Sequence, residues 1–344
     1  MRAAIFKEVG QPLEIVELPE PEPAADEVVV SVGRCGICGS DLHMTDTGGM
    51  PPASRSVIGH EFSGEVVAIG RDVSNLKIGD RVAAMPIKGC GKCNSCKAGT
   101  PSWCEQGLQY LAGGYAQYAR AGARECLLLP GGLDVADGAL AEPLAVALHG
   151  VRTVPDLKGA TVTVMGGGPI GLAAVFWARH FGAAKVQIVE GNVFRGEMAL
   201  GMGADQLFAP PAPSTGTPGQ AESVDPASIP APADVVFECV GKPGLLLSSL
   251  DRVRPCSTIV SLGFCMSQEP FFAAAAATRE VTMKFPMLYT IDDYQTTLNV
   301  LESGAVESRA MVTNTVSLDE LPKMFEALRK PSHECKVMID PWKV

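Results

Sequence analysis

The 344-residue chain lacks any long apolar run free of glycine and charge. Its most apolar stretch, Val162 to Ala178, is broken by glycines and stopped by Arg179 and His180. It reads as a buried strand and helix, not as a membrane span. An excess of positive charge is also missing, since 28 Lys and Arg face 38 Asp and Glu, for a net charge of −10. That balance repels phosphate backbones and anionic bilayers, so neither nucleic acid nor a membrane is expected as a partner. The opening residues, "MRAAIFKEVG", show no apolar leader core and no cleavage signature, and a cytoplasmic setting is expected. Internal repeats are absent. One low-complexity tract stands out, residues 209–232, where seven prolines occupy the place of a crossover helix. Proline at that density breaks helices, so a surface loop is expected there.

What is present is the composition of a globular protein, 47% hydrophobic and 19% charged. The length suits two domains and supports cores that need no disulfide staples. Eleven cysteines in a chain without a leader therefore point to a reducing compartment and to metal ligation.

The chain changes texture near residue 150. Before it, short β-branched runs such as "EVVVSVG" and "GEVVAIG" alternate with Gly, Pro and Asp, the pattern of an irregular strand-rich domain. After it, "TVTVMGG", "KVQIVEG", "DVVFECVG" and "STIVSLG" are nearly unbroken apolar strands, with helical stretches at 169–181 and 193–202. That alternation predicts a parallel sheet covered on both faces. Helical patterns at 292–303 and 318–330 and a last strand, "CKVMID", follow. The expected division is 1–150 with 290–344 as one domain and 151–289 as the other.

Two motifs carry most of the chemistry. "CGKCNSCKAGTPSWC" brings Cys90, Cys93, Cys96 and Cys104 within fifteen residues. Four thiolates so spaced suit tetrahedral zinc with no open position, hence a structural site, with an iron–sulfur cluster as the competing reading. "MGGGPIG" places Gly166, Gly168 and Gly171 between a strand and a helix. The first glycine permits the turn, the second admits a pyrophosphate, and the third lets helix pack on strand. Glu190 ends the next strand, where a carboxylate would accept hydrogen bonds from a ribose diol and repel a 2′-phosphate. NAD is therefore preferred over NADP. Arg195 stands near enough in sequence to cover the adenine or ribose edge. Pro169, Ile170, Cys239, Val240 and Leu262 are read as further cofactor-lining positions.

"CGICGSDLH" at residues 35–43 has the spacing of a Cys-x-x-Cys pair, yet more partners lie farther on: "IGHEFSGEV" offers His60 and Glu61, and "LAEPLAVALHG" offers Glu142. Catalytic zinc needs three protein ligands and an exchangeable position, which Cys38, His60 and one carboxylate would provide. Taken in order, "CGICGSDLH", "GHEFSGEVVAIG", "CGKCNSC", "EPLAVALHG", "GGGPIG" and "SHECKVMIDP" resemble the zinc-dependent medium-chain alcohol and polyol dehydrogenases. The resemblance spans nearly the whole chain. It implies a GroES-like catalytic domain joined to a Rossmann cofactor domain, and two zinc ions per chain, one catalytic and one structural.

The resemblance also implies roles. Cys38 and His60 would bind the catalytic zinc, with Glu61 or Glu142 completing its sphere, as in the sorbitol and threonine dehydrogenase branch. Ser40 would stand beside the substrate oxygen, His43 at the outer end of a proton relay, and Asp41 behind His60. Lys336 would reach the cofactor pyrophosphate. Cys35 is expected only to pack, and His149, placed at the start of a domain-crossing helix, likewise. The expected reaction is reversible hydride transfer between a secondary or polyol-type alcohol and NAD. A reductase of conjugated or imine substrates using NADPH is the alternative, and a non-catalytic zinc scaffold a more distant one. Tyr110 and Phe264 are candidate pocket residues, beside Met50, Pro86 and Trp103. A homodimer or homotetramer is expected, paired through "EVTMKF" or "TIVSLG".

Overall fold

The computed structural model describes residues 1–47, 49–210, 230–269 and 271–343. Most of the proline-rich tract, and with it the expected surface loop, lies outside the described residues. The chain divides into two compact units, Met1–Ala145 with Leu288–Val344, and Val146–Met287.

The first unit is built on a seven-stranded sheet, ordered 126–128, 81–84, 61–69, 27–36, 336–340 and 312–317, with 118–122 also paired to 27–36. Its long strand Glu27–Gly36 is the hub, antiparallel to Glu61–Ile69 on one side and to Lys336–Asp340 on the other. Register there matters for function, because it sets Gly36 opposite both Glu61 and Met338. Val28, Val30, Val32, Phe62, Tyr115 and Phe325 pack into one core, all of them buried. A small hairpin, Ile87–Lys88 with Gln109–Tyr110, stands off this sheet.

The second unit is a six-stranded, all-parallel sheet ordered 206–208, 185–189, 161–165, 233–238, 253–261 and 282–284. Numbered along the chain, this is the 3-2-1-4-5-6 order of a dinucleotide-binding fold. Val162, Val164, Val186, Ile188, Val236, Phe237 and Ile259 are completely buried, as expected for strands covered on both faces.

Two helices differ from their sequence patterns. The stretch 318–330 forms a helix only over Leu321–Ala327, because Pro322 has no N–H to donate and fits only the first turn. His149 lies in the last turn of the helix Val135–Arg152, not at its start. The helix begins well upstream because the Asp134 carboxylate caps it, accepting from the Ala136 and Asp137 amides at 2.8 and 3.0 Å.

Candidate active site

The site is assembled from the first turn of a short helix, Gly39–Met44, and the start of the strand Glu61–Ile69. Cys38 stands just before the helix, and the Asp41 carboxylate reaches back to accept its amide at 3.4 Å. The same carboxylate holds His60, with Asp41 Oδ1 at 3.2 Å from His60 Nδ1, and accepts the Tyr115 hydroxyl on Oδ2 at 2.7 Å. Asp41, His60 and Tyr115 are all buried. Burial disfavours a charged imidazole, yet the Asp41 carboxylate and the Cys38 sulfur outweigh it and hold His60 well above the usual histidine range. With Nδ1 committed to Asp41, Nε2 is left to face the site. Gly59, at φ +87°, leaves its Cβ position to the Tyr115 ring, so this corner closes around the Asp41–His60 pair.

Cys38, His60 and Glu61 bring one donor atom each within 4.8 Å of one another. Thiolate, imidazole and carboxylate together form a donor set that zinc accepts. Glu61 is also paired with Lys336, whose ammonium lies 2.6 and 2.7 Å from its two oxygens and 3.1 Å from the Ile37 carbonyl. Those three acceptors use all three donors of the ammonium. Lys336 is 2% exposed. Lys336, expected to reach a cofactor pyrophosphate, is found as a buried counter-ion to Glu61. Gly36 makes room for the pair, since a Cβ there would collide with Glu61 Oε2.

Glu142 approaches from the helix Val135–Arg152, buried at 4% exposure. One turn earlier Gly138 lets this helix close on Ser63, where a Cβ would come within 2.7 Å of the serine side chain. Pro143 follows Glu142 inside the helix and removes one backbone hydrogen bond from that turn. Burial raises the Glu142 carboxyl to about 7, opposed by His60 and reinforced by Glu61. Glu142 is not among the three donors already clustered, but its charge is felt by the same groups. Tyr110 tilts over His60 with ring centroids 6.0 Å apart and remains 47% exposed. Burial about its phenol, with Asp41, Glu142 and Cys38 nearby, pushes the hydroxyl above its usual range.

Ser40 is half-buried and His43 exposed, three residues apart on the short helix and so on one face of it. Cys35 is completely buried, its sulfur against Gly114, and burial holds its thiol well above the ordinary value. It packs and does not pair with Cys38. Met50 and Trp103 are each 63% exposed, and no described contact brings either to the metal cluster. Tyr115 and Tyr289, both buried beside site carboxylates, were not legible as site residues. Nothing local marks them, because both sit in connecting segments and meet their carboxylates only through the folded chain.

The cysteine cluster is closed. Sγ atoms of Cys90, Cys93, Cys96 and Cys104 lie within 4.8 Å of one another. Backbone amides of Lys92 and Cys93 lower the Cys90 thiol to about 6, while burial raises Cys96 to about 12. Gly89 is required because Cys96 Sγ occupies the place a Cβ would take. Four sulfurs, with no fifth donor grouped with them among the described residues, fit a structural zinc.

In the second unit Gly166 has φ +94°, open to glycine alone at low cost, and its Cβ position is filled by Val240. Gly171 lies so near the Gly166 carbonyl that no side chain would fit. The helix Pro169–His180 starts directly after, presenting its N-terminus to the loop. Glu190 spans the loop, accepting the Gly167 amide at 2.5 Å and the Asn192 amide at 2.7 Å. Arg195 packs beside it over Gly167. Cys239 and Val240 follow the neighbouring strand Ala233–Glu238, and Leu262 packs onto Gly150. Phe264 is 59% exposed, its backbone against Gly241.

A unit with a three-donor metal cluster and a closed four-cysteine knot, and a unit with a dinucleotide fold, define a zinc-binding dehydrogenase. Residues 24–131 match the alcohol dehydrogenase GroES-like domain and residues 169–303 the zinc-binding dehydrogenase domain. Sorbitol dehydrogenase of Bacillus subtilis (strain 168) is 31% identical over 351 residues, covering 99% of this chain and 97% of its own. A protein named Probable D-xylulose reductase A, from Arthroderma otae, is 34% identical over 89% of this chain and 87% of its own. Among solved structures, one described as a zinc-binding dehydrogenase of Sinorhizobium meliloti 1021 bound to NADP superposes with a TM-score of 0.86 at 30% identity, covering 99% of both chains. The 2R,3R-butanediol dehydrogenase of Bacillus subtilis gives 0.84 at 28%, again over 99% of both chains. The chain belongs to the zinc-dependent medium-chain dehydrogenase family. It is an oxidoreductase that works with zinc and a pyridine nucleotide. Among the described residues no helix is long and apolar enough to cross a membrane.

Proposed function

We propose that this chain is an NAD-linked dehydrogenase of secondary or polyol-type alcohols, with two zinc ions, one at Cys38, His60 and a carboxylate and one at Cys90, Cys93, Cys96 and Cys104. The observation that carries the reading is the three-donor cluster of Cys38, His60 and Glu61, with Glu142 buried beside it. When bound there, zinc supplies Lewis acidity that lowers an alcohol's pKa, and the nicotinamide supplies the hydride acceptor. The chain's own residues do the rest. Asp41 fixes the imidazole, Ser40 receives the hydroxyl proton, and exposed His43 passes it to solvent. Tyr110 borders the reacting carbon and limits the size of its substituents. Domain roles follow the two units: the first holds the metals, the second the cofactor.

Glu190 supports NAD over NADP, since its carboxylate stands on the glycine loop where a 2′-phosphate would be repelled. The names of sorbitol dehydrogenase and butanediol dehydrogenase support a substrate with neighbouring hydroxyls. Self-association through the edge strand Thr282–Lys284 is supported by the exposure of Phe285 and Met287 next to it. The test is NADH formation across sugar alcohols, vicinal diols and cyclic alcohols, with NAD and NADP in parallel. His60→Ala should remove at least about a thousandfold of kcat, the order expected when a metal's charge stabilisation is lost. Full activity in His60→Ala, or a preference for NADP with an enal, would sink the proposal.

A further inference from the structure

Tyr289 has a buried hydroxyl with no assigned task. The residue is 1% exposed, and its oxygen has no hydrogen-bond partner among the described residues. The Glu142 carboxylate is the group that acts on it most after burial, by its charge and as the available acceptor for its hydroxyl. A buried hydroxyl left unpaired costs free energy, and phenylalanine would fill the same space without that cost.

The backbone around it is set to hold the ring in place. Leu288, immediately before, adopts φ 57°, a left-handed conformation that leucine rarely takes. Ser102 donates its hydroxyl to the Tyr289 carbonyl at 3.3 Å. Thr290, immediately after, caps the helix Ile291–Glu302 in a reciprocal pair with Asp293. The Tyr289 ring stacks on Tyr294, with centroids 5.5 Å apart and planes at 22°. Tyr294 cannot serve Glu142 itself, because its hydroxyl donates to the Ala84 carbonyl at 3.3 Å. Lys336 cannot either, its donors being committed to Glu61 and Ile37.

We propose that Tyr289 is a positioning residue for Glu142. With metal in the cluster of Cys38 and His60, its O–H donates to one oxygen of the Glu142 carboxylate and turns the other toward the metal or the water on it. This rests on the reading that Glu142 serves the catalytic metal.

The experiment uses the full chain with cobalt(II) loaded at the catalytic site, and Tyr289→Phe. Expected are metal retention weakened about tenfold in chelator competition, the size seen when a ligand's hydrogen-bond partner is removed, and an altered visible cobalt spectrum. Turnover should fall with little change in KM. Tyr294→Phe, which removes a hydroxyl from the same stacked pair, should leave the spectrum unchanged. An unchanged cobalt spectrum and unchanged metal retention in Tyr289→Phe would overturn the inference, as would an equal change in Tyr294→Phe. Glu142→Gln separates the two levels. If it perturbs the cobalt while Tyr289→Phe does not, Tyr289 has no such role and the reading of Glu142 stands. If neither perturbs it, the reading of Glu142 fails as well. A Tyr289→Phe effect that vanishes in the Glu142→Gln background supports the proposal.

Discussion

Lys336 donates to both carboxylate oxygens of Glu61 in a pocket where each residue is at most 2% exposed. The two lie 275 positions apart, joined only through the strand Glu27–Gly36 between them. Removing one partner of such a pair strands the other charge. Lys336→Met should cost about 3–5 kcal/mol in urea unfolding, the range for breaking a buried ion pair. Replacing both residues by apolar ones should recover much of it, and a Lys336→Met protein as stable as the parent would show the pair to be inert.

Gly36 gives an independent handle on the same pair. Gly36→Ala retains both charges but places a methyl where Glu61 Oε2 now lies. Catalytic-metal content should drop while the cysteine knot keeps its ion, so elemental analysis should fall from about two toward one zinc per chain if two sites exist. Loss of both metals together would point to unfolding instead.

Among the described residues Asp41 is the one carboxylate holding the His60 ring nitrogen, and Tyr115 in turn donates to Asp41. Asp41→Asn should weaken catalytic-metal affinity by about 10–100-fold. Tyr115→Phe should do less, because Asp41 Oδ2 would keep the Cys38 amide. An order reversed between the two variants would contradict this hierarchy.

Metal loading should depend on pH with a definite sign. His60 is held well above the ordinary histidine range, with burial opposing and Asp41 and Cys38 prevailing, so a metal must displace a proton from it. Affinity for zinc at the Cys38–His60 cluster should therefore fall as pH drops from about 8 to about 6. The readout is chelator competition, and a flat profile would argue that the imidazole is already neutral.

Glu190→Ala should relax cofactor preference, raising kcat/KM with NADP relative to NAD by about tenfold or more. Because Glu190 also accepts the Gly167 and Asn192 amides, activity with NAD should fall at the same time. An unchanged ratio would move cofactor selection to other residues.

The nucleotide unit was the more legible half. Its strands are short apolar runs that announce themselves locally, and the glycine loop is a local motif. The metal cluster was partly legible, since Cys38, His60 and Glu61 stand in short recognisable stretches. The pairing of Lys336 with Glu61 was not legible, because it is chosen by strand register and by the absence of a side chain at Gly36. Tyr115 and Tyr289 were invisible for a similar reason: a buried phenol beside a carboxylate looks in sequence like any core aromatic. The early start of the helix carrying Glu142 was missed through its cap, Asp134, which a two-letter pattern of apolar and polar residues does not register.

The hairpin that carries Tyr110 is fastened at its loop end by the cysteine knot, since Ile87 pairs with Tyr110, Lys88 pairs with Gln109, and Cys90 and Cys104 lie in the chain between them. The span 105–109 is then a tether of fixed anchorage and adjustable length. Adding or deleting a residue there would shift the aromatic ring over His60 without disturbing any metal ligand. With Tyr110 at the substrate, as proposed, editing that loop would change the preferred alcohol while the groups that activate it stay where they are.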